Sequence, residues 1–232
     1  MKSFCIIGLG KFGTALALRL AEEGNQVMIL DTDAEKVNAL ADIVTNAVIG
    51  DPSNENVLRS AGVTDYECAV VCFTGNVNEN VLITILLKEL GVKKVVSRAA
   101  NDGHKKVLEH IGADIVVYPE KDMGDKLAFM LTKDNVTEFI EFSGYKLVEI
   151  RVPDAWVGKN LIDLDIRRKY GINVIAVTRA SDDVADVSPS PMRKFSSGEK
   201  VSVIGSDKDI EKLMKTYQTA HAKSKKLKTS RK

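Results

Sequence analysis

The chain has 232 residues, 44% of them hydrophobic and 28% charged, a composition typical of one large or two small globular domains. The net charge is +1, no apolar run reaches the roughly 18 residues that span a bilayer, and Met1 leads directly into an apolar strand pattern, so no signal peptide is expected. The three cysteines lie in apolar segments without metal-binding spacing, which predicts buried, reduced thiols and a cytoplasmic location.

The strongest motif stands at the start of the chain. An apolar strand runs into Gly8-x-Gly10-x-x-Gly13, a helical segment follows, and a second apolar strand ends at Asp31. Together these elements form a dinucleotide-binding fingerprint. Gly8 permits a tight turn, Gly10 lets the backbone approach a pyrophosphate, and Gly13 lets the helix pack against the sheet. The N-terminus of that helix offers N–H groups to phosphates, so the motif predicts an adenine-nucleotide site.

Apolar strands and helices alternate over the first 135 residues. Strands are expected at 4–8, 26–31, 46–49, 68–73, 94–98 and 114–118. Helices are expected at 14–23, 34–41 (with Asp33 as N-cap), 54–61, 78–90, 103–111 and 121–134. Near-continuous apolar strands separated by helices indicate a buried parallel sheet. The right-handed crossover rule then predicts an α/β, Rossmann-type doubly wound fold.

The pattern changes after residue 135, where strands outnumber helices. Strands are expected at 136–142, 145–152, 172–178 and 201–204, helices at 160–169 and from 207, and a polar loop at 180–200. The sequence therefore predicts a Rossmann domain over 1–135 and a small α+β domain over 136–219. A domain of this size is near the lower limit for an adequate core, so we expect dimerisation to stabilise it.

The last segment, residues 220–232, is strongly basic. Residues 221–232 contain five lysines and one arginine without an acid, which leaves 27 basic and 32 acidic residues in the rest of the chain. Such a segment is typical of a disordered, solvated terminus. Contact with anionic lipid or nucleic acid is the alternative. We expect the solvated terminus and no nucleic-acid partner.

Ligands of doubly wound sheets bind where the carboxyl ends of the parallel strands meet. The residues expected at this crevice are Gly8, Gly10, Lys11, Phe12, Gly13, Asp31, Thr32, Asp51, Thr74, Gly75, Asn76, Arg98 and Glu120. The carboxylate of Asp31 can accept hydrogen bonds from both hydroxyls of a ribose. It repels a 2′-phosphate, which disfavours NADP.

Five of these residues have a structural alternative. Asp31 either binds the ribose or is only a helix-capping or surface acid. Lys11 either reaches a phosphate or is a solvated lysine, and Arg98 either faces the crevice or forms a structural ion pair. Asp51 either contacts the edge of the adenine or only begins a turn. Glu120 either binds a Mg²⁺ or Ca²⁺ ion that bridges to phosphates, or is a helix N-terminal acid that the helix dipole favours.

Catalytic groups are not evident in the sequence. His104 and His110 stand six residues apart on one predicted helix, which places them on different faces, and His221 lies in the basic segment. The chain has neither a Ser/His/Asp or Cys/His arrangement nor a GxxxxGK[ST] phosphate loop. The sheet is therefore interpreted as a sensor of a nucleotide and not as an enzyme, with no catalytic residues assigned.

Longer segments resemble a known family, the RCK (KTN) domain. In the first domain these are Gly8-Leu-Gly-Lys-Phe-Gly13, Ile49-Gly-Asp-Pro52 and Tyr118-Pro-Glu-Lys-Asp-Met-Gly124, the last of which resembles the KtrA branch in particular. Val157-Gly-Lys-Asn-Leu161 and Asn173-Val-Ile-Ala-Val177 resemble the RCK C-terminal domain. The resemblance covers about residues 2–215. The family comprises cytoplasmic regulators of bacterial Trk/Ktr potassium uptake and of ligand-gated potassium channels.

The resemblance implies a gating-ring subunit at the inner face of the membrane. Homodimers would assemble into an octameric ring beneath an integral-membrane potassium transporter subunit, and ATP and ADP would compete for the crevice and switch the ring between shapes. By similarity, Lys11 and Arg98 would face the terminal phosphates, and Glu120 would help to bind a divalent cation. Relatives often carry Arg in place of Lys11, and Lys lacks the bidentate fork of Arg.

The resemblance also implies a second ligand and leaves alternatives open. Ile162, Asp165 and Arg167 lie in the segment that binds cyclic di-AMP in some relatives, although this segment is equally compatible with a dimer core. An NAD(H)-responsive regulator of the TrkA kind would use Asp31 in the same way. A small NAD-dependent oxidoreductase is the more distant alternative, which a steady-state assay with alcohols and acids would identify.

Overall fold

The computed structural model describes residues 1–73, 75–133, 135–181 and 184–215, and at Phe142 it describes the backbone alone. The chain divides into two units, one formed by Met1–Lys121 and the other beginning at Asp122. Each unit has its own sheet and its own hydrophobic core.

The first unit is built on a six-stranded sheet. Its strands are β1 (Ser3–Ile7), β2 (Gln26–Asp31), β3 (Asn46–Ile49), β4 (Cys68–Val71), β5 (Val95–Arg98) and β6 (Ile115–Val117). Its helices are α1 (Lys11–Glu22), α2 (Ala34–Leu40), α3 (Glu55–Ser60), α4 (Val77–Glu89), α5 (Asp102–His110) and the start of α6 (Pro119–Leu131). All pairs are parallel, in the order β3-β2-β1-β4-β5-β6. This order confirms the doubly wound, Rossmann-type fold, with its switch point between β1 and β4.

The central strands are apolar on both faces, which explains why they form the middle of the sheet. In β2 every residue from Val27 to Asp31 is buried. Ile29 contributes to one apolar cluster and Leu30 to the other, because alternate residues of a strand point to opposite faces. Strands buried in this way are typical of parallel sheets.

Side-chain caps set the start of several helices. The carboxylate of Asp33 accepts a hydrogen bond from the backbone N–H of Glu35 (3.0 Å), which confirms it as the N-cap of α2. Asn54, Asn76 and Asn101 cap α3, α4 and α5 in the same way. Each cap accepts a hydrogen bond from a backbone N–H of the first turn, which has no acceptor within the helix.

Helix α1 begins at Lys11, earlier than the predicted residue 14. Gly10 is extended and is the N-cap, so Gly13 lies within the first turn of the helix and not before it. The predicted start at residue 14 leaves all three glycines outside the helix, whereas the third glycine lies inside it, where the absence of a Cβ allows a close approach to the carbonyl of Gly8.

The second unit contains a five-stranded sheet. Its strands are β7 (Val136–Phe142), β8 (Tyr145–Arg151), β9 (Asn173–Thr178), β10 (Ala185–Asp186) and β11 (Lys200–Ser206). They follow the order β10-β9-β11-β8-β7 with antiparallel pairing. The helices are α7 (Leu161–Leu164) and α8 (Ile166–Tyr170), and residues 207–215 are also helical. This arrangement confirms a small α+β unit.

Two local predictions in the second unit differ from the structure. The helix expected at 160–169 is interrupted at Asp165, whose φ of +46° is left-handed, a conformation that Asp tolerates better than most residues. The segment expected as a loop at 180–200 contributes the short strand β10. A two-residue strand carries too little pattern to be detected in a polar sequence.

Helix α6 is divided between the two units. The sequence places the whole helix before a boundary at 135/136, but in the structure the division falls after Lys121. Phe129 and Met130, near the end of α6, pack against the core of the second unit. The basic segment 220–232 lies outside the described residues.

The structure also bears on the expectations about membrane-spanning segments and about the three cysteines. Among the described residues, the structure has no helix with the length and apolar character needed to cross a bilayer. Cys5, Cys68 and Cys72 are buried and free of disulfide bonds. Burial raises the pKa of the Cys72 thiol to about 12, so this side chain is neutral and packs as an apolar group.

Candidate functional site

The glycine loop makes its turn at Gly8, immediately after β1. Gly8 has a φ of +96°, a conformation that favours glycine. Its N–H donates to the carbonyl of Leu30 (2.9 Å), and a Cβ added to Gly8 would lie 3.1 Å from the ring of Phe73. The backbone conformation therefore favours glycine here, and a larger residue would also push the Phe73 ring aside by a few tenths of an ångström.

Gly10 and Gly13 have opposite surroundings. A Cβ on Gly13 would lie 2.0 Å from the carbonyl oxygen of Gly8, so only glycine allows α1 to pack this closely against the loop. A Cβ on Gly10 would have no heavy atom within 4 Å. The open space at Gly10 stands at the N-terminus of α1, where N–H groups are available to an anion. Lys11, the first residue of α1, is exposed at the same helix end.

Asp31 is buried at the end of β2 and is bonded to the glycine loop. One carboxylate oxygen accepts a hydrogen bond from the N–H of Leu9, and the other accepts from the N–H of Asp33 (2.9 Å). Each oxygen has two lone pairs, so both retain capacity for a ligand hydroxyl. The bond to Leu9 joins Asp31 to the turn, an interaction that the sequence did not predict. Thr32, the next residue, is exposed.

Asp51 forms a local turn after β3. One oxygen of its exposed carboxylate accepts from both the N–H (2.9 Å) and the hydroxyl (2.6 Å) of Ser53. The hydroxyl of Ser53, followed by its N–H, lowers the pKa of Asp51. These contacts fit the turn-forming alternative, and contact with an adenine stays a prediction.

The segment after β4 is partly described. A Cβ on Gly75 would have no heavy atom within 4 Å, so the chain is open there as it is at Gly10. The side-chain oxygen of Asn76 accepts from the N–H groups of Asn78 (3.1 Å) and Glu79 (3.3 Å), which makes Asn76 the cap of α4. Thr74, which the sequence places at the crevice, lies outside the described residues.

Arg98 and Glu120 form an ion pair with each other, which is the structural alternative that the sequence left open for Arg98. The Arg98 side chain is only 13% exposed, whereas that of Glu120 is 56% exposed. The Arg98 guanidinium lies 5.3 Å from the centroid of the Phe12 ring, in cation–π range. Phe12 belongs to the glycine fingerprint, so Arg98 is positioned beside the loop.

Arg98 also retains hydrogen-bonding capacity. Its Nε–H is buried and has no acceptor within the described part of the chain. A buried donor without a partner costs roughly 1–3 kcal/mol, and an anion in the crevice would satisfy it. With the open space at Gly10 and the Asp31 carboxylate, this geometry fits a phosphorylated ribose.

The described side chains offer few ligands to a divalent cation. Across residues 1–73, 75–133, 135–181 and 184–215, no cluster of three or more His, Cys, Asp or Glu side chains could hold a metal ion. Glu120 alone therefore does not form a cation site, and other ligands, such as phosphate oxygens, would have to complete it.

The two helix-borne histidines do not form a catalytic pair. His104 is buried, its Nδ1 accepts from the N–H of Ala100 (3.1 Å), and burial lowers its pKa. His110 is exposed, with Nδ1 2.6 Å from the carbonyl oxygen of Lys106. Their different burial agrees with the predicted placement on different faces of α5.

One residue at the crevice was missed in the sequence. Asn80 on α4 is fully buried, and its side-chain NH₂ donates to the carbonyls of Phe73 (2.7 Å) and Arg98 (3.1 Å). The available signal was a polar residue three positions before the buried Ile83 and seven before the buried Leu87, on the apolar face of the helix.

The residues considered for cyclic di-AMP lie in the second unit. Ile162 on α7 is 60% exposed, and Asp165 forms an ion pair with Arg168 (2.6 Å). Arg167 is exposed on α8. None of these contacts tests the ligand.

Comparisons with known proteins cover most of the chain. Residues 4–119 match the TrkA-N domain and residues 147–217 match the TrkA-C domain. The Ktr system potassium uptake protein C of Bacillus subtilis (strain 168) is 41% identical over 92% of this chain and 96% of that protein. The potassium uptake protein A of the same Ktr system is 38% identical over 91% and 95%, and that of Vibrio alginolyticus is 31% identical over 91% and 96%.

Solved structures share the fold. The GsuK RCK domain aligns with a TM-score of 0.51 at 21% identity, over 94% of this chain and 47% of that one. The GsuK channel bound to NAD aligns with a TM-score of 0.51 at 22% identity, over 95% and 39%. The NAD(P)-binding domain of an exopolyphosphatase-related protein from Archaeoglobus fulgidus aligns with a TM-score of 0.50 at 25% identity, over 57% and 97%.

Proposed function

Because the chain belongs to the family of TrkA-N and TrkA-C domain proteins that includes the Ktr potassium uptake proteins, we propose that it senses ATP and ADP as a regulatory subunit. Its partner is an integral-membrane potassium transporter subunit of the Ktr/Trk type, which it contacts at the cytoplasmic face. It has no catalytic role.

The position of Arg98 and its unsatisfied Nε–H group are the observation that carries this proposal. Arg98 lies against Phe12 of the glycine loop and keeps a buried Nε–H without an acceptor in the described residues. A nucleotide whose pyrophosphate lies along the open backbone at Gly10 would bring its terminal phosphates within reach of Arg98 and the exposed Lys11. Asp31 would accept hydrogen bonds from the ribose hydroxyls.

The ion pair between Arg98 and Glu120 supports a way to distinguish ATP from ADP. A terminal phosphate competes with the Glu120 carboxylate for the guanidinium, since both are anionic acceptors of the same N–H groups. When the phosphate wins, Glu120 is free to bind Mg²⁺ or Ca²⁺ together with phosphate oxygens. The phosphate that distinguishes ATP from ADP thus acts on a contact already formed in the crevice.

Such a ligand switches the protein only by its differential affinity for two shapes. We place that switch in an assembly of several copies, a homodimer that builds an octameric ring. An apolar stripe on α6 supports self-association, because Met123, Leu127 and Leu131, spaced four residues apart, are 61%, 50% and 74% exposed. Apolar side chains at this spacing lie on one face of a helix and are typical of an interface.

Calorimetric titration of the purified protein tests the nucleotide. ATP, ADP, AMP, NAD and NADH are each titrated with and without Mg²⁺. We expect ATP and ADP to compete for one site, and we expect Mg²⁺ to raise the affinity for ATP more than the affinity for ADP. Tighter binding of NADH than of ATP would instead favour the TrkA-type alternative, which Asp31 fits equally well. Binding of none of them would overturn the proposal.

Two further measurements complete the test. Reduction of NAD⁺ to NADH, followed in a steady-state assay with added alcohols or acids as hydride donors, would identify the oxidoreductase alternative. Titration with cyclic di-AMP, repeated with Arg167→Ala, asks whether the second unit binds that dinucleotide through the segment containing Ile162, Asp165 and Arg167. The expected outcome is binding that the substitution weakens, and unchanged affinity would remove Arg167 from the site.

A further inference from the structure

Asn80 occupies a buried position between two parts of the crevice. It lies on α4 and is fully buried. Its side-chain NH₂ donates one hydrogen bond to the carbonyl of Phe73, which follows β4, and one to the carbonyl of Arg98, the last residue of β5. These carbonyls lie at the carboxyl ends of neighbouring parallel strands. Both amide hydrogens are used, and each satisfies a backbone group at a strand end.

The two carbonyls belong to residues whose side chains surround the glycine loop. The ring of Phe73 lies beside Gly8, where an added Cβ would be 3.1 Å away. The guanidinium of Arg98 lies over Phe12 and pairs with Glu120. Both hydrogen bonds that the Asn80 amide donates go to these two residues, so we expect its effect on a ligand to pass through them.

A network behind Asn80 is equally buried but does not reach the crevice. The hydroxyl of Thr84 donates to the backbone carbonyl of Asn80 (2.8 Å) and lies 2.8 Å from the hydroxyl of Ser97. Ser97 directly precedes Arg98 and is fully buried. This network ties α4 to β5, and Asn80 is the member that extends to the strand ends.

We infer that Asn80 is a positioning residue which fixes Arg98 at the height where its guanidinium meets the terminal phosphates of a nucleotide. This inference rests on the proposed nucleotide function. Arg98 is the last residue of β5 and has a long side chain. A small shift of the Arg98 carbonyl therefore moves the guanidinium relative to the glycine loop. Sub-ångström placement of such groups is what gives charged contacts their strength.

Asn80→Ala tests the inference, with Ser97→Ala as a matched control. Both remove a buried hydrogen-bonding group next to Arg98, and both are expected to lower stability. The affinity for ATP should fall about tenfold in Asn80→Ala and less than twofold in Ser97→Ala. The affinity for AMP, which lacks the terminal phosphates, should fall less than twofold in both. Equal losses of ATP affinity in the two variants would overturn the inference.

A double-mutant cycle asks whether Asn80 acts through Arg98. In an Arg98→Met background, Asn80→Ala should change ATP affinity less than twofold, because the group it positions is gone. A tenfold effect that persists without Arg98 would contradict the inference. If Asn80→Ala does not fold, Asn80→Asp retains the shape of the side chain. Its protonated acid donates one bond, so an intermediate loss is expected.

A ligand-free measurement separates this inference from the proposed function. In protein labelled with ¹⁵N-arginine, the buried Nε–H of Arg98 should exchange slowly with solvent, and Arg98→Met assigns its resonance. Exchange should be at least tenfold faster in Asn80→Ala and unchanged in Ser97→Ala. Unchanged exchange in Asn80→Ala refutes the inference even if ATP binds. Failure of the unsubstituted protein to bind any nucleotide refutes the proposed function.

Discussion

The glycine loop allows stability and ligand binding to be separated by two single-methyl substitutions. Gly13→Ala would place a methyl group 2.0 Å from the carbonyl oxygen of Gly8, well inside contact distance. Backbone on both sides of the contact has to move, and overpacking of this kind costs about 1–3 kcal/mol. In a chain of this length each kcal/mol changes the melting temperature by about 2–4 °C. We therefore expect Gly13→Ala to melt roughly 2–12 °C lower.

Gly10→Ala should have nearly no effect on stability. Gly10 has a φ of −72° and a ψ of 179°, which alanine adopts without strain, and its Cβ would have no heavy atom within 4 Å. The lower entropy of the unfolded chain adds about 0.4–1 kcal/mol of stability, and the poorer N-cap propensity of alanine removes a similar amount. The methyl group would occupy the space through which we propose the pyrophosphate approaches. Binding should therefore be lost while the fold is retained.

Thermal melts followed by circular dichroism, with and without ATP, measure both effects. At a ligand concentration of about 100 times Kd, binding stabilises the folded state by about 2.7 kcal/mol, which corresponds to roughly 5–10 °C. The unsubstituted protein should show this shift and Gly10→Ala should not. A full ATP-dependent shift in Gly10→Ala would refute the placement of the phosphates. A ligand-free melt several degrees lower would refute the open space at Gly10.

Three further predictions concern single side chains. Asp31→Asn should weaken ATP and ADP at least tenfold in calorimetry, because an amide group would face the N–H of Leu9 or Asp33; unchanged affinity would remove Asp31 from the site. Glu120→Gln should leave ADP affinity within twofold and abolish the Mg²⁺ dependence of ATP binding, so an intact dependence argues against the cation role. Cys72 should resist iodoacetamide at pH 8 until the protein unfolds, because its pKa is raised from 9.0 to about 12. As pH rises, the Cys72 thiol ionises in the unfolded chain before it ionises in the folded protein, so the free energy of unfolding should decline between pH 9 and pH 12. Rapid alkylation of Cys72 in the native protein would contradict its burial.

Local patterns were sufficient to predict the first unit. The period and length of the apolar segments identified six strands, because these patterns depend on near neighbours in sequence. The crossover rule then predicted the doubly wound fold, without giving the order of the strands. Asp33 as the cap of α2 follows from the same local chemistry. The predicted start of α1 is three residues late because glycine has a low helix propensity, whereas Gly13 lies in the helix at a position where a Cβ would meet the carbonyl oxygen of Gly8.

The contacts of the candidate site were largely beyond prediction. The sequence selected Arg98 and Glu120 as neighbours of a ligand, but their pairing joins residues on β5 and α6 that meet only once the sheet has formed. The hydrogen bond from Leu9 to Asp31 likewise depends on the turn geometry at Gly8. Asn80 was missed because its two acceptors are backbone carbonyls, which any sequence would provide.

These long-range contacts change how the site is expected to respond to its ligand. From the sequence, Arg98 is assigned to a phosphate or to an ion pair without a named partner, and Glu120 to a divalent cation or to a helix N-terminus. As a contacting pair they are coupled, because each partner satisfies the charge of the other and a phosphate or a cation acts on both. The terminal phosphate and the divalent ion should therefore bind with positive cooperativity. A substitution of Arg98 or Glu120 should abolish this cooperativity in a variant that still binds the nucleotide.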